Sequence, residues 1–387
     1  MKKIYLDCAA TTPVDKRVLE AMLPYFGSPP AGGYGNAGSL HSFGREAIAA
    51  IDSARNDVAK AIGAEYGDVI FAGSATEANN LVLRGVLKTG NRKSKPKIIV
   101  SAIEHESVLE TARDLGKEGV EVVILPVNGE GFVDLEKFKS SLDERIVLVS
   151  VMYANNEIGT IQPIAEISKI VKEFNYKIFF HTDAVQVFQY LDCNVNVLGV
   201  DFLTLSAHKI YGPKGVGALF IRNRQSAAHN LKPVITGGGQ EFGLRSGTEN
   251  VPSIVGFAKA VELVNHSRES ENGRVAKLRD YFFEEIRKIY PPSLRNGGEP
   301  ALPNILNVYF PGHRAEDLLV KFDRAGIAVS AGSACQSRAA RPSHVLQALG
   351  FPEERVKSSI RFSFGRPTTD SEIKTVLKRV EEMKILA

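Results

Sequence analysis

The sequence is poor in cysteine. Its three cysteines, Cys8, Cys193 and Cys335, are scattered over 387 residues. No two of them have the spacing of a zinc site or a disulfide framework, which excludes small stapled scaffolds and points to a reducing compartment. Charge of one sign is also scarce, since 48 basic residues against 44 acidic ones leave only +4. Such a surplus permits a local basic patch but is no signature of a nucleic-acid binder, and no direct nucleic-acid partner is expected. No apolar run approaches the length of a membrane span. Asp7 follows Met1-Lys2-Lys3 too early for a secretory leader. Repeats and low-complexity tracts are missing as well. A soluble, cytoplasmic protein without membrane contact is the expectation. The composition that remains, 44% hydrophobic and 24% charged, is that of an ordinary globular protein with ample length for a large core.

From about residue 45 to 221 the chain alternates helical and strand signals. Ile51, Ala54, Val58 and Ile62 recur at spacings of three and four, which predicts a helix over Arg45–Ile62. Short apolar runs follow at Val69–Ala72, Ile98–Ala102, Val122–Leu125, Ile146–Val151, Ile178–His181, Phe202–Leu205 and Ala218–Ile221. Most lack period-two alternation, as strands buried on both faces of a parallel sheet do. Helix-length segments, among them Thr76–Leu87, His105–Lys117 and Pro163–Phe174, separate several of them. The order reads as an α/β domain with crossover helices. Arg92, Lys93, Lys95 and Lys97 read as a solvated surface loop.

Past residue 250 a mostly helical stretch runs from Val251 to Tyr290, with a polar interruption at Ser267–Asn272, and Pro291-Pro292 marks a boundary. The remainder mixes strands and helices in a smaller α+β unit. Its last helix opens at Thr369-Asp370-Ser371-Glu372, a capping-box spacing, and shows Ile373, Val376, Val380 and Met383 on one face.

Ligands of open α/β sheets bind beyond the carboxyl ends of the strands, and four of these ends carry chemistry. Gly73-Ser74-Ala75-Thr76-Glu77 leads straight into a helix and can seat a phosphate on free N–H groups, although Ser or Thr there also serves as a plain N-cap. His105, in Glu104-His105-Glu106, can stack on a planar ligand or move a proton, or simply cap its helix. Asp183 can hold a ring nitrogen protonated with Gln186 in reach of the same ligand; alone it also reads as an N-cap. Lys209 follows an apolar run and precedes a Gly/Pro-rich turn, where desolvation can free a lysine to add to a carbonyl. Together the four form the parts list for pyridoxal phosphate. A nicotinamide site is less well supported, because Gly237-Gly238-Gly239 lacks the required spacing after a strand.

The motifs Tyr5-Leu6-Asp7-Cys8-Ala9-Ala10-Thr11-Thr12-Pro13, Gly38-Ser39-Leu40-His41, Gly73-Ser74-Ala75-Thr76-Glu77, Asn155-Asn156-Glu157-Ile158-Gly159, His181-Thr182-Asp183-Ala184-Val185-Gln186, Ser206-Ala207-His208-Lys209, Arg245-Ser246-Gly247-Thr248 and Ser333-Ala334-Cys335 resemble the cysteine desulfurases of the NifS/IscS-like group. These are class V, fold-type I aminotransferase-like enzymes, and the resemblance runs in order from residue 4 to about residue 380. It implies a large pyridoxal-phosphate-binding α/β domain (16–259) with a mainly parallel sheet. A smaller α+β domain (1–15 and 260–387) would carry the catalytic-cysteine loop, about 328–342.

By the same resemblance Lys209 holds pyridoxal 5'-phosphate covalently and shuttles the substrate's Cα proton, and His105 stacks on the ring and acts as acid/base. Asp183 pairs with the ring nitrogen and Gln186 contacts the ring hydroxyl. Phosphate contacts come from Ala75, Thr76, Ser206 and His208, with Thr248 reaching across from a second subunit, which implies a homodimer with shared active sites. Asn155 and Arg361 hold the substrate carboxylate, a task that suits a bidentate guanidinium. Cys335 takes sulfur from L-cysteine as a persulfide and releases L-alanine; its small, polar neighbours suit a loop that moves. No metal site is implied, apart from Cys335 as a transient iron–sulfur or persulfide ligand. Cys8 and Cys193 read as structural.

The sulfur would pass to an acceptor protein for iron–sulfur cluster assembly or tRNA thiolation. Two departures from the family bear on that partner. Arg341 stands where an acid is common, with Arg338 nearby, and the chain ends soon after its last helix without the tail that docks a scaffold. Selenocysteine lyase or another class V activity is the alternative enzyme reading, and a non-catalytic scaffold on the same fold is the reading from outside enzymes.

Overall fold

The computed structural model describes residues 2–27, 33–88, 95–224, 231–332 and 342–382. Cys335, Arg338 and Arg341, the loop residues Arg92 and Lys93, and Met383 of the last helix lie outside these.

Strand β1 (Ile4–Tyr5) opens the chain. Next come β2 (Val69–Ala72), β3 (Lys97–Ser101), β4 (Glu121–Leu125), β5 (Ile146–Ser150), β6 (Phe179–Asp183), β7 (Phe202–Ser206) and β8 (Gly217–Ile221). These form one seven-stranded sheet in the order β2-β8-β7-β6-β5-β3-β4. The pairs among β7, β6, β5, β3 and β4 are parallel, whereas β8 runs antiparallel to both β7 and β2. Two reversals cancel, so β2 points the same way as β7, and the carboxyl ends of β2, β3, β5, β6 and β7 open on one edge. Central strands such as β7 and β8 are buried along their whole length, which is why they read as mostly apolar runs without a polar face.

The crossover helices are Ala75–Leu87 after β2, Glu106–Lys117 after β3 and Ile164–Phe174 after β5. Side chains cap the first two: Ser74 Oγ accepts from Glu77 N–H, and His105 Nδ1 accepts from Ser107 N–H. The helix Ser42–Ala61 starts earlier than its apolar spacing suggested, because His41 caps it through Gly44 N–H.

Strands β9 (Leu294–Asn296), β10 (Ile305–Tyr309), β11 (Ile327–Ala328) and β12 (Ser359–Ser363) complete the chain. A three-stranded antiparallel sheet has the order β12-β10-β9, and β1 pairs in parallel with β11. The core around this sheet includes Ile4, Leu6, Phe310, Phe322, Phe362 and Ile373. At the start of the helix Asp370–Glu382, Thr369 and Glu372 exchange side-chain-to-backbone bonds of 3.2 Å each, a complete capping box.

The interruption expected at Ser267–Asn272 is not there. Val251–Ile289 is one helix of 39 residues. Its first part packs Ile254, Phe257, Val261 and Val264 into the core of the large sheet, and its second part packs Val275, Leu278, Phe282 and Ile286 into the other core. The polar segment lies between the cores and finds its own partners: Ser267 Oγ donates to Leu263 O within the helix, and Asn272 Nδ2 donates to Tyr190 O, far away in sequence. Polarity there marks a helix crossing between two cores, not a break.

Lys97 also departs from its expected place in a solvated loop. It starts β3 with its side chain 8% exposed, and its ammonium bonds Ser141 O at 2.8 Å and Asp143 Oδ2 at 3.0 Å. Among the described residues no helix is long and apolar enough to cross a membrane.

Candidate active site

A cavity of ≈ 180 Å³ lies where the strand ends converge. Ser74, Ala75 and Thr76 from the end of β2, His105 from β3, Met152 and Asn156 from β5, Asp183 and Gln186 from β6, and Ser206, His208 and Lys209 from β7 line it, with Arg361 of β12 and the strap residues Ala9 and Ala10. The structure thus brings together residues far apart in the chain, and the single orientation of β2, β3, β5, β6 and β7 is the reason.

At one end of the cavity the helix Ala75–Leu87 begins. The first N–H groups of a helix have no acceptor within it and carry its positive pole. Gly217, at the start of β8, lies against this turn: a Cβ there would come within 3.0 Å of Ala75 N and 2.8 Å of Leu205 O. The missing side chain lets β8 pass close beneath the start of this helix.

Lys209 sits in the short turn after β7, and its Nζ donates to Ala9 O at 2.5 Å and Ala10 O at 2.8 Å. Gln186 Nε2 donates to the same Ala9 carbonyl at 3.0 Å. Thr12 fastens the strap to the lysine turn: Oγ1 donates to His208 O at 2.9 Å and accepts from Tyr211 N–H at 2.8 Å. Tyr211 needs the fastening, since its φ of 66° is a left-handed conformation that non-glycine residues rarely adopt.

Asp183 Oδ1 accepts from Val185 N–H at 3.0 Å, and Oδ2 accepts from Asn79 Nδ2 at 2.9 Å. His105 Nδ1 accepts from Ser107 N–H at 3.1 Å and lies 2.8 Å from Ser107 Oγ. A nitrogen that accepts from a backbone N–H carries no proton, so the neutral ring holds its proton on Nε2. Burial pushes the His105 imidazole below its ordinary value, and the charge of Lys209 adds to this while Asp183 opposes it. Burial, with Lys209 and Lys214, pushes His208 down to about 4. Both rings are therefore neutral near neutral pH.

Arg361 is 1% exposed. Its Nη2 bonds Asp7 Oδ1 at 2.7 Å, its Nη1 bonds Asn156 O at 2.8 Å, and Nε is buried without a partner among the described residues. The guanidinium is held in place with donor capacity left over.

Two expected residues stand elsewhere. Asn155 does not line the cavity: its Oδ1 accepts from Glu157 and Ile158 N–H, and its Nδ2 donates to Ile103 O. Its neighbour Asn156 takes the wall position. Thr248 lines a separate hollow of ≈ 260 Å³ with Gly73, Arg245 and Asn250. Cys8 and Cys193 are buried, and burial pushes both thiols up to about 12.

Sequence reasoning missed Asn79, Ser107, Asp7 and Glu104. Asn79 lies four residues after Ala75, on the same helix face, and Ser107 two residues after His105, which were the available signals. Glu104 is fully buried. Its Oε1 accepts from Ser101 Oγ at 2.5 Å and Met152 N–H at 2.7 Å, and its Oε2 has no partner among the described residues. Burial pushes its carboxyl from 4.5 up to about 8, against the pull of these two bonds and with help from the charge of Asp183.

An acid with a raised folded value holds its proton more tightly folded than unfolded, so stability falls as pH climbs from about 4.5 to about 8. Glu104→Gln cannot ionise. Its stability relative to wild type is expected to rise across that window by on the order of a few kcal/mol and to stay level outside it. Urea midpoints at a series of pH values measure this, and a difference constant with pH contradicts it.

Comparison with known proteins agrees with this geometry. The family described as Aminotransferase class-V matches residues 4–376. A cysteine desulfurase IscS of Dictyoglomus turgidum is 46% identical over 99% of this chain and 94% of its own length. The chain belongs to the cysteine desulfurases of the class-V aminotransferase family. A second desulfurase relative, IscS 1 of Archaeoglobus fulgidus, is 44% identical over 97% of this chain and 95% of its own. Among solved structures, a NifS-like protein superimposes with a TM-score of 0.91 at 38% identity, covering all of both chains. A NifS-like protein from Rickettsia africae gives 0.86 at 34% identity over 99% of each. The α/β architecture of this desulfurase is thus that of the fold-type I enzymes.

Proposed function

We propose that the cavity binds pyridoxal 5'-phosphate and L-cysteine, and that the chain moves the substrate's sulfur onto Cys335 as a persulfide, leaving L-alanine. The observation that carries the reading is the meeting of Lys209, Asp183, His105 and Arg361 around one cavity that opens on a helix N-terminus. The residues suit the cofactor. The start of Ala75–Leu87, with Ser206 and His208 beside it, would hold the phosphate. Asp183 would face the ring nitrogen, Gln186 the ring hydroxyl, and His105 the ring plane. When bound, the cofactor supplies an electron sink for charge developing at the substrate's α carbon.

The chain's own groups do the rest. Arg361, fixed by Asp7 and Asn156, orients the carboxylate. Lys209 carries the cofactor and moves the proton at Cα, while His105 presents an Nε2 proton. The Cys335 thiolate bonds to the substrate sulfur; the Cβ–S bond breaks, its electron pair stays on Cβ, and Cβ takes up a proton to become the alanine methyl. Enzyme thiol and cysteine become enzyme persulfide and alanine, with no outside oxidant. Asn155 would then support the wall from behind while Asn156 faces the substrate.

Thr248 would complete the phosphate site of a second copy, which makes the protein a homodimer; its position away from the cavity of its own chain supports this. We place the division of the chain at 16–259 against 1–15 with 260–387. The sulfur passes to an acceptor protein of iron–sulfur assembly or tRNA thiolation in the cytoplasm, and the cationic Arg338 and Arg341 favour an acidic one. The test is alanine and sulfide release from L-cysteine with excess thiol reductant on cofactor-loaded protein. Wild type is expected to release both in equal amounts and Cys335→Ala to be crippled. Alanine formation that survives without the thiol refutes the persulfide step and favours a lyase.

A further inference from the structure

Asn79 joins two groups that the proposed chemistry uses separately. It lies on the helix Ala75–Leu87, fully buried, and its Nδ2 divides two protons between Asp183 Oδ2 and Ser107 Oγ, each at 2.9 Å. Ser107 passes the link on, because both its N–H and its hydroxyl meet His105 Nδ1. With Oγ accepting from Asn79, the Ser107 hydroxyl proton is directed to that nitrogen. One amide therefore spans the carboxylate that faces the ring nitrogen and the imidazole that covers the ring.

We propose that Asn79 is a positioning residue of the cofactor site, which fixes the Asp183 carboxylate and, through Ser107, holds His105 in its Nε2–H tautomer by one neutral hydrogen-bonded frame. The inference rests on the functional reading above and deepens it.

The chemistry of the side chain supports this. Two uncharged donors on one nitrogen are what an ionised carboxylate and an already directed hydroxyl require. A lysine would bring a charge, and an aspartate would set a second carboxylate against Asp183. Asn79 Oδ1 is buried without a partner among the described residues. A residue present only for packing would avoid that cost, so the donors are what the site uses. A neutral donor fixes the orientation of the carboxylate without adding a charge of its own beside it. Other groups act on the same pair. Lys209, Glu106 and His344 act on His105, while His181 and Glu104 sense the charge of Asp183.

Three variants test the proposal: Asn79→Ala, Asn79→Asp and Ser107→Ala, with pyridoxal phosphate affinity and the pH midpoint of the bound cofactor's visible absorption as readouts alongside alanine formation. Asn79→Ala is expected to weaken cofactor binding about tenfold or more, the range for a lost hydrogen bond to a charged group, and to move the absorption midpoint. Asn79→Asp is expected to exceed it on both counts. Ser107→Ala breaks only the imidazole branch, so it should hold affinity and absorption within about twofold while shifting the pH profile of alanine formation. A folded Asn79→Ala with wild-type affinity and midpoint overturns the proposal. Should that variant fail to fold, a Ser107→Ala protein with a wild-type pH profile overturns it instead. Failure of the wild-type chain to bind pyridoxal phosphate overturns the functional reading itself, a result distinct from either.

Discussion

Lys209→Ala is expected to form alanine from L-cysteine at least about a hundredfold more slowly than wild type, the lower range for losing a positioned proton-transfer group. The loss of the proposed covalent tie to the cofactor would add to this. The expectation rests on position. Lys209 projects from a turn after β7 into the cavity, held at Ala9 O and Ala10 O by a strap that Thr12 and Tyr211 fasten from outside. Removing the ammonium leaves the strap's other bonds in place, including Thr12 N–H to His208 O at 3.0 Å, so the fold is expected to survive. Stopped-assay alanine determination with circular dichroism as the folding control measures the effect. Partial rescue by small primary amines would mark the missing group as the amine. A folded variant within about tenfold of wild type would remove Lys209 from the chemistry.

The largest stability effect is expected at Glu241. Among the described residues, β2 is an edge strand, paired on one side with β8. On its open side an ion pair stands in for a neighbouring strand. Arg55 Nη1 donates to Val69 O at 2.8 Å, and Glu241 Oε2 accepts from Phe71 N–H at 2.9 Å. The two side chains join each other through a bidentate pair of 2.6 and 2.9 Å. Both are nearly buried, at 4% and 7% exposure, and the rings of Phe71 and Phe242 flank the guanidinium at 5.0 and 4.9 Å.

Glu241→Ala leaves the Arg55 charge buried and unpaired, for which the expected cost is about 3–5 kcal/mol. Urea unfolding at neutral pH reads it as a fall in midpoint. Replacing both partners with apolar residues should recover much of the loss, because the pair's own desolvation penalty goes with it. A cost under about 1 kcal/mol for Glu241→Ala would mean that water reaches the edge and screens the pair. Since β2 leads directly into Gly73 and Ser74, the same variant is expected to loosen the proposed phosphate seat.

Much of the strand framework was legible as apolar runs. Val69–Ala72 matches β2 to the residue, and the expected strands at Phe202 and Ile146 begin where β7 and β5 do. Direction was not legible. Gly217–Ile221 is as apolar as its parallel neighbours, and only pairing shows that it runs against them. The continuity of Val251–Ile289 was hidden because a polar stretch between two cores has the composition of a loop.

At the site, residues at strand ends were readable since chemistry there stands out against apolar surroundings. Asn79 and Glu104 were not, because burial and pairing, not residue type, give them their meaning. Asn155 and Asn156 show the limit most sharply. Of two identical residues in succession, Asn156 lines the cavity and Asn155 does not, because the turn spends the Asn155 side chain on Ile103, Glu157 and Ile158.

The most direct test of the account is a single turnover of cofactor-loaded protein with L-cysteine and no reductant, followed by peptide mass analysis. The account predicts one alanine per active site and the mass of one added sulfur atom on the peptide that contains Cys335, with the peptides of Cys8 and Cys193 unchanged. Alanine formed with its sulfur found only as free sulfide would contradict it, and so would no alanine from a chain that has bound its cofactor.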